Sequence, residues 1–210
     1  LIILLQGTVG WYMVKSGLVD NTTVSHYRLA IHLIIAFIIL SLIFWNYLHL
    51  KDLILPDKNI NFNLSLLFLF FVYAQISIGA FVSGMDAGTI YNTWPLMGSN
   101  YFPDDNNINH LFSLSAFNDA SLVQFLHRNL AYIIIFFYFF ILFKIHRRDI
   151  KRLYGPINLI GFFLIIQVIL GILTLLNGAQ IFLASMHQIS SIFLVSACIY
   201  FLYLTKQVSN

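Results

Sequence analysis

His127, in QFLHRNLAY, and His187, in LASMHQISS, each stand a turn or two inside the start of a long apolar run. An ionisable side chain inside a membrane is costly, and one that persists there is a candidate functional group. If both runs enter a bilayer from the same side, the two imidazoles reach a common depth, within roughly 10 Å of that surface at 1.5 Å rise per residue. One ring nitrogen above and one below is the ligand set that a flat iron porphyrin takes between the helices of a bundle. Taken singly, each histidine would serve equally well as a hydrogen-bonding partner for a neighbouring helix. Their shared depth favours the metal.

The elements that must hold these rings are membrane helices. The 210 residues are 60% hydrophobic and only 9% charged, with a mean hydropathy of +0.84, whereas a soluble domain carries about 25% charged residues. The apolar runs are roughly 20 residues long, enough for a helix to cross about 30 Å of hydrocarbon. They lack the short alternating segments of a strand barrel. The expected fold is therefore all-α and polytopic, with six spans at residues 1–18, 27–50, 62–84, 122–143, 155–177 and 183–204. The first span opens in mid-run with no initiator methionine or charged leader, which reads as a chain entered near the start of a spanning helix. Cys198, the single cysteine, has no partner for a disulfide within the chain.

Orientation follows from the basic residues. Lys51 and Lys58 fall in one connection, Lys144, Arg147, Arg148, Lys151 and Arg152 in another, and Lys206 at the C-terminus; the positive-inside rule assigns all three to the cytoplasm. The alternate connections, including the long stretch 85–120 without lysine or arginine, then lie outside. A net charge of +3 distributed in this way speaks for membrane orientation rather than nucleic-acid binding.

On this topology His32 joins His127 and His187 just below the outer surface. His49 and His146 fall at the cytoplasmic ends, where an interfacial role suffices, and His26 and His110 belong to the outer boundary and loop. Gln6, Gly10 and Gly17 have the spacing of Gln167, Gly171 and Gly178, and Gln75, Gly79 and Gly84 repeat it more loosely. Glycine at such positions lets a helix or a porphyrin face approach closely. This echo suggests two related four-helix units, with residues 1–61 the remainder of the first and 62–210, including the outer loop 85–120, the whole of the second. Lys15, Arg28 and Arg128 lie near the outer face, placed to neutralise porphyrin propionates by charge-assisted hydrogen bonds or to snorkel to headgroups. Tyr91, Trp94 and Tyr101 suit an interfacial layer or a lid over a haem edge, and residues 109–117 suit a short amphipathic helix on the surface. Asp86 and Asn92 of the same loop take no role from the sequence. Nothing has the pattern of a phosphate loop, a serine triad, a zinc cluster or a paired carboxylate site.

QGTVGWYMVKSGL, VSHYRLAIHL, GAFVSGMDAGTIYNTWPLMG, QFLHRNLAY and GILTLL followed by LASMHQ, in that order, strongly resemble the haem A synthase family in the form shared by mitochondria and many proteobacteria. The resemblance covers nearly the whole chain and implies eight spans in two similar four-helix bundles, with two spans expected before residue 1. It implies an oxidoreductase that converts haem O to haem A, oxidising the C8 methyl to a formyl group through successive hydroxylations, for cytochrome oxidase. His127 and His187 then match the axial ligands of a haem b, with Arg128 on a propionate. His32 matches a histidine of the substrate-haem bundle, with Arg28 and Lys15 nearby. The family's catalytic glutamate belongs to an earlier span, so these residues alone are expected not to turn over. The partners implied are the bilayer, haem O, an electron donor, and haem O synthase or oxidase assembly proteins, with a homo-oligomer left open. The location implied is the bacterial inner membrane with the haem sites toward the periplasm, or the mitochondrial inner membrane. A plain membrane cytochrome b, an electron-transfer subunit without chemistry of its own, would use the same His127 and His187 pair. A transporter or scaffold would make them packing residues.

Overall fold

Backbone amides and carbonyls find no water in hydrocarbon, so a chain this apolar must form helices that satisfy those groups internally. The computed structural model describes residues 1–17, 24–51, 53 and 60–206. Among them are six α-helices: α1 (Ile2–Gly17), α2 (His26–His49), α3 (Phe62–Gly84), α4 (Ala120–Arg147), α5 (Tyr154–Leu176) and α6 (Ile181–Leu204). Helices α2 to α6 are long and apolar enough to cross a membrane, and the chain is an integral membrane protein. Helix α1 has 16 residues, about 24 Å at 1.5 Å per residue. Lys58 and residues 20–23 of the first expected outer connection, 20–25, lie outside the described residues.

The helix boundaries have local causes. Asn61 caps α3 by accepting the Asn63 N–H at 2.9 Å, and Asp119 caps α4 by accepting the Leu122 N–H at 3.0 Å; such caps satisfy amides that the first turn leaves open. Helix α4 runs beyond its apolar segment into Lys144, His146 and Arg147, whose positive charge suits the carbonyl end of the helix dipole. The surface helix expected over 109–117 is instead two short 3-10 turns, Ile108–Phe112 and Leu114–Asn118. The Asn107 and Ser113 side chains accept the N–H groups of Asn109 and Ser115, and Ser113 is extended, so each short polar side chain starts a new turn rather than continuing the last.

Helix α3 packs on α4, α4 on α5, α5 on α6 and α6 on α3, closing a ring in which α4 and α6 face each other across the diagonal. Helix α2 packs on α3 and α6 and is itself packed by α1. Between α2 and α3, the Tyr73 hydroxyl donates to the Phe37 carbonyl at 3.0 Å and lies 2.6 Å from the Ser41 hydroxyl. The apolar core occupies the half of the ring that carries the basic connections: Phe68 and Val72 of α3, Ile141 and Ile145 of α4, Ile157 and Ile160 of α5, and α6 from Leu194 onward. Tyr138 is buried there because α5 presents Gly161 to it, where a Cβ would run into the tyrosine hydroxyl.

Gly161→Ala is therefore expected to lower the thermal midpoint of the detergent-purified protein, overpacking costing about 1–3 kcal/mol. Gly155→Ala, where nothing lies within 4 Å, should not.

Candidate functional site

His32, His127 and His187 stand six, seven and six residues after the first residues of α2, α4 and α6, about 9–11 Å along each helix at 1.5 Å per residue. Each is met by the helix that precedes it. Gln6 of α1 donates from Nε2 to the His32 carbonyl at 3.1 Å, Gln75 of α3 to the His127 carbonyl at 3.0 Å, and Gln167 of α5 to the His187 carbonyl at 3.0 Å. In the first two hairpins the same Nε2 lies 3.2 and 3.3 Å from the imidazole Nε2. In the third it donates instead to the Ser190 hydroxyl, which donates in turn to the His187 carbonyl at 2.9 Å.

One turn beyond each glutamine is a glycine. A Cβ on Gly10, Gly79 or Gly171 would come within 2.9, 3.1 or 3.2 Å of Cε1 of the facing imidazole. The sequence echo of glutamine and glycine is thus a repeated structural unit, and the group that uses the space is the imidazole itself. The ring Nδ1 of all three histidines is buried without a hydrogen-bond partner, as is Oε1 of Gln6 and of Gln75. His127 and His187 lie within electrostatic reach of each other.

The layer around His127 and His187 is packed unlike the rest of the ring. Among the described residues, α5 has none buried beyond Leu164, α6 has only Ser190 buried before Leu194, and α4 has none between Gln124 and Ile134. Protein interiors are ordinarily close-packed, so this layer, bounded by a solid core on one side, has the character of a site for a non-protein group. The loop 85–120 bounds it on the other side.

That loop is strapped to the first turns of α4. Arg128 donates to the carbonyls of Thr93 (2.9 Å), Leu96 (3.2 Å) and Tyr91 (2.9 Å), and Gln124 donates to the Tyr91 carbonyl at 3.1 Å. Trp94 donates from its indole to the Tyr132 hydroxyl at 3.1 Å, and the Tyr101 hydroxyl donates to Asn129 at 2.5 Å. Asn92 ties the loop to the end of α5 through the Leu175 carbonyl at 2.9 Å, and Asp86 takes a left-handed backbone at φ 50° before the turn Ala87–Thr89. Sequence reasoning missed Gln124, Asn129 and Tyr132 as loop anchors. Arg128, expected beside a propionate, gives three hydrogen bonds to loop carbonyls and keeps its Nε buried and without a partner. Asp119 fastens the loop as well, accepting from Asn106 and Ser121. Burial acts to raise its pKa, but the hydrogen bonds from Leu122, Ser121 and Asn106 hold the carboxyl below the ordinary carboxylate value.

The remaining candidates are placed as follows. The Lys15 ammonium lies 4.7 Å from the Trp11 ring centroid, and the Arg28 guanidinium 5.2 Å from that of Tyr12, so both sit on aromatic faces of α1. His49 packs edge-on against Trp45 and Tyr203, and His146 stacks on Tyr154 at 4.4 Å. His26 packs against Phe81 beside Gly84, and His110 is exposed.

Two outcomes follow from the strap. Arg128→Met should speed amide exchange of residues 91–97, with a loss of about 2 kcal/mol in local opening energy, as for a charged hydrogen bond. The stability from Asp119 should be present above the ordinary carboxylate pKa and lost as pH falls through its lowered folded value; acid titration of loop exchange should show that limb in the native protein and a flatter one in Asp119→Asn.

The family model described as cytochrome oxidase assembly protein, COX15-CtaA, matches residues 1–199. The chain is 42% identical over 206 residues to a protein named Heme A synthase from Pelagibacter ubique, and 40% and 41% identical, over 215 and 214 residues, to proteins of the same name from Rickettsia conorii and Rickettsia bellii. These alignments cover 98% of this chain and 60% to 62% of the relatives, so the chain spans about three fifths of the length of the curated relatives it matches. With the match running from the first residue well into α6, the chain belongs to the COX15-CtaA family of cytochrome oxidase assembly proteins.

Proposed function

We propose that this chain holds a haem b between His127 and His187 and serves haem A formation, the oxidation of the C8 methyl of haem O to a formyl group. The observation that carries the haem site is the pair of imidazoles at one depth on the diagonal helices α4 and α6, in a layer without a side-chain core. Unpartnered buried Nδ1 atoms and the glycines facing the rings fit the same group. The relatives named Heme A synthase favour the synthase reading over a plain cytochrome b.

His127 and His187 would hold a haem b from two sides, and the chemistry such a group would supply is one-electron transfer. The protein's own part is placement and exclusion of water. Gln75 and Gln167 fix the helices that carry the ligands, the strapped loop covers the layer, and the Arg128 Nε donor is available to a propionate. His32 with Gln6 and Gly10 repeats the arrangement in the hairpin of α1 and α2, and there we place the haem O substrate, with Lys15 and Arg28 supplying positive charge for its propionates. Residues 1–61 accordingly belong to a substrate unit and 62–210 to the haem b unit. The basic ends face the cytoplasm and the loop 85–120 faces the periplasm of a bacterial inner membrane, or the equivalent side of the mitochondrial one. An electron donor and haem O synthase or oxidase assembly proteins are the partners this role requires.

The test is a reduced-minus-oxidised absorption spectrum of the purified protein. The native chain should show the sharp α band of low-spin haem b, His127→Ala and His187→Ala should each lose it, and His49→Ala should keep it. A native protein without haem bands, or a His49→Ala variant as empty as the other two, sinks the assignment.

A further inference from the structure

Lys144, Arg147, Arg148, Lys151 and Arg152 crowd the turn from α4 into α5, five of the chain's eleven lysines and arginines within nine residues. Membrane orientation asks only that basic residues lie near a helix end. It does not ask that their backbone be fixed, and here it is. Asp149 takes a left-handed backbone at φ 51°, which ends α4: the Ile150 N–H returns to the Ile145 carbonyl at 3.1 Å, and the Leu153 N–H to the Ile150 carbonyl at 2.9 Å. Ile145, Ile150 and Leu153 are buried, while Arg147, Arg148, Lys151 and Arg152 are exposed. The apolar residues thus pin a short turn against the core, and the cations are what it displays.

The one acid within residues 144–152, Asp149, does little to cancel them. It accepts the Tyr154 hydroxyl at 3.1 Å and lies 3.9 Å from the Lys151 ammonium, an exposed pair of a kind that contributes at most about 1 kcal/mol. Toward the bilayer the adjoining surface is apolar. Phe139, Phe143 and Arg147 follow one another at intervals of four residues and so share a stripe of α4, on which the two rings are 58% and 62% exposed. The Lys144 ammonium lies 5.0 Å from the Phe140 ring centroid. A stripe of exposed rings that ends in cations matches an amphiphile, whereas a free phosphate ion would use the cations alone.

We propose that the α4–α5 turn docks an anionic phospholipid, with the headgroup phosphate on Arg147 and the neighbouring cations of the turn and the acyl chains along Phe139 and Phe143. Clusters of four to eight basic residues beside a membrane helix attract anionic lipid, each cation strengthening the attraction about 5-fold, the equivalent of about 1 kcal/mol. The proposal rests on the membrane-spanning fold and is independent of the haem assignment.

The test uses the whole chain in mild detergent, titrated with phosphatidylglycerol or with phosphatidylcholine, the bound lipid being counted by native mass spectrometry. Phosphatidylglycerol should bind the native chain more tightly than phosphatidylcholine. The double variant Arg147→Gln, Lys151→Gln should bind phosphatidylglycerol about 25-fold more weakly and phosphatidylcholine unchanged. Lys51→Gln with Lys206→Gln, which removes the same charge from the ends of α2 and α6, should keep the native affinity. Equal binding of the two lipids by the native chain overturns the proposal. So does an equal loss in both double variants, which would make the effect one of net charge, or displacement of the lipid by an equal concentration of inorganic phosphate, which would make the turn a site for the free ion.

Discussion

A side-chain amide placed in hydrocarbon costs roughly 2–7 kcal/mol unless it is hydrogen-bonded, and this protein places three of them at equivalent points. Gln6, Gln75 and Gln167 meet that demand on a histidine carbonyl of the next helix. The net energy of each contact is modest, since hydrogen bonds between membrane helices average about 0.6 kcal/mol. Their larger effect is geometric. The latch fixes the axial register of two helices at the level of the imidazole, and the glycine one turn away lets the ring lie against the backbone of its neighbour.

The rest of the ring divides around that level. Toward the basic connections, Phe68, Ile141, Ile157, Val195 and Phe201 are essentially inaccessible and interlock as a conventional core. Toward the loop, α5 and α6 contribute no buried apolar residue, and closure comes from polar straps to the first turns of α4. Rigidity at one end and a laid-over cover at the other leave the imidazole layer as the part of the bundle not defined by side-chain packing.

Much of this was legible in the sequence. Hydropathy located helices α2 to α6 to within a few residues because burial of backbone polar groups leaves a membrane chain little choice. That His32, His127 and His187 stand a similar number of residues into their helices could be counted from the apolar runs, and the spacing of glutamine and glycine marked the repeated unit before its purpose was visible. What the spacing could not supply was the partner. A glutamine four residues before a glycine has the same pattern whether it bonds a ring, a carbonyl or lipid-borne water. The loop anchors were hidden for a related reason: Arg128 and Gln124 bind main-chain carbonyls of Tyr91, Thr93 and Leu96, and every residue has a carbonyl, so no residue type advertises the contact. The two 3-10 turns in place of one surface helix reflect Ser113, whose side chain competes with the helical pattern locally.

Each of the three latches closes within a pair of consecutive helices, α1 with α2, α3 with α4 and α5 with α6, and none of the three crosses between pairs. A nascent chain delivered to the bilayer two spans at a time would therefore carry its costly carboxamide and the matching acceptor together. No member of the set has to wait, exposed to lipid, for a helix that the ribosome has yet to make.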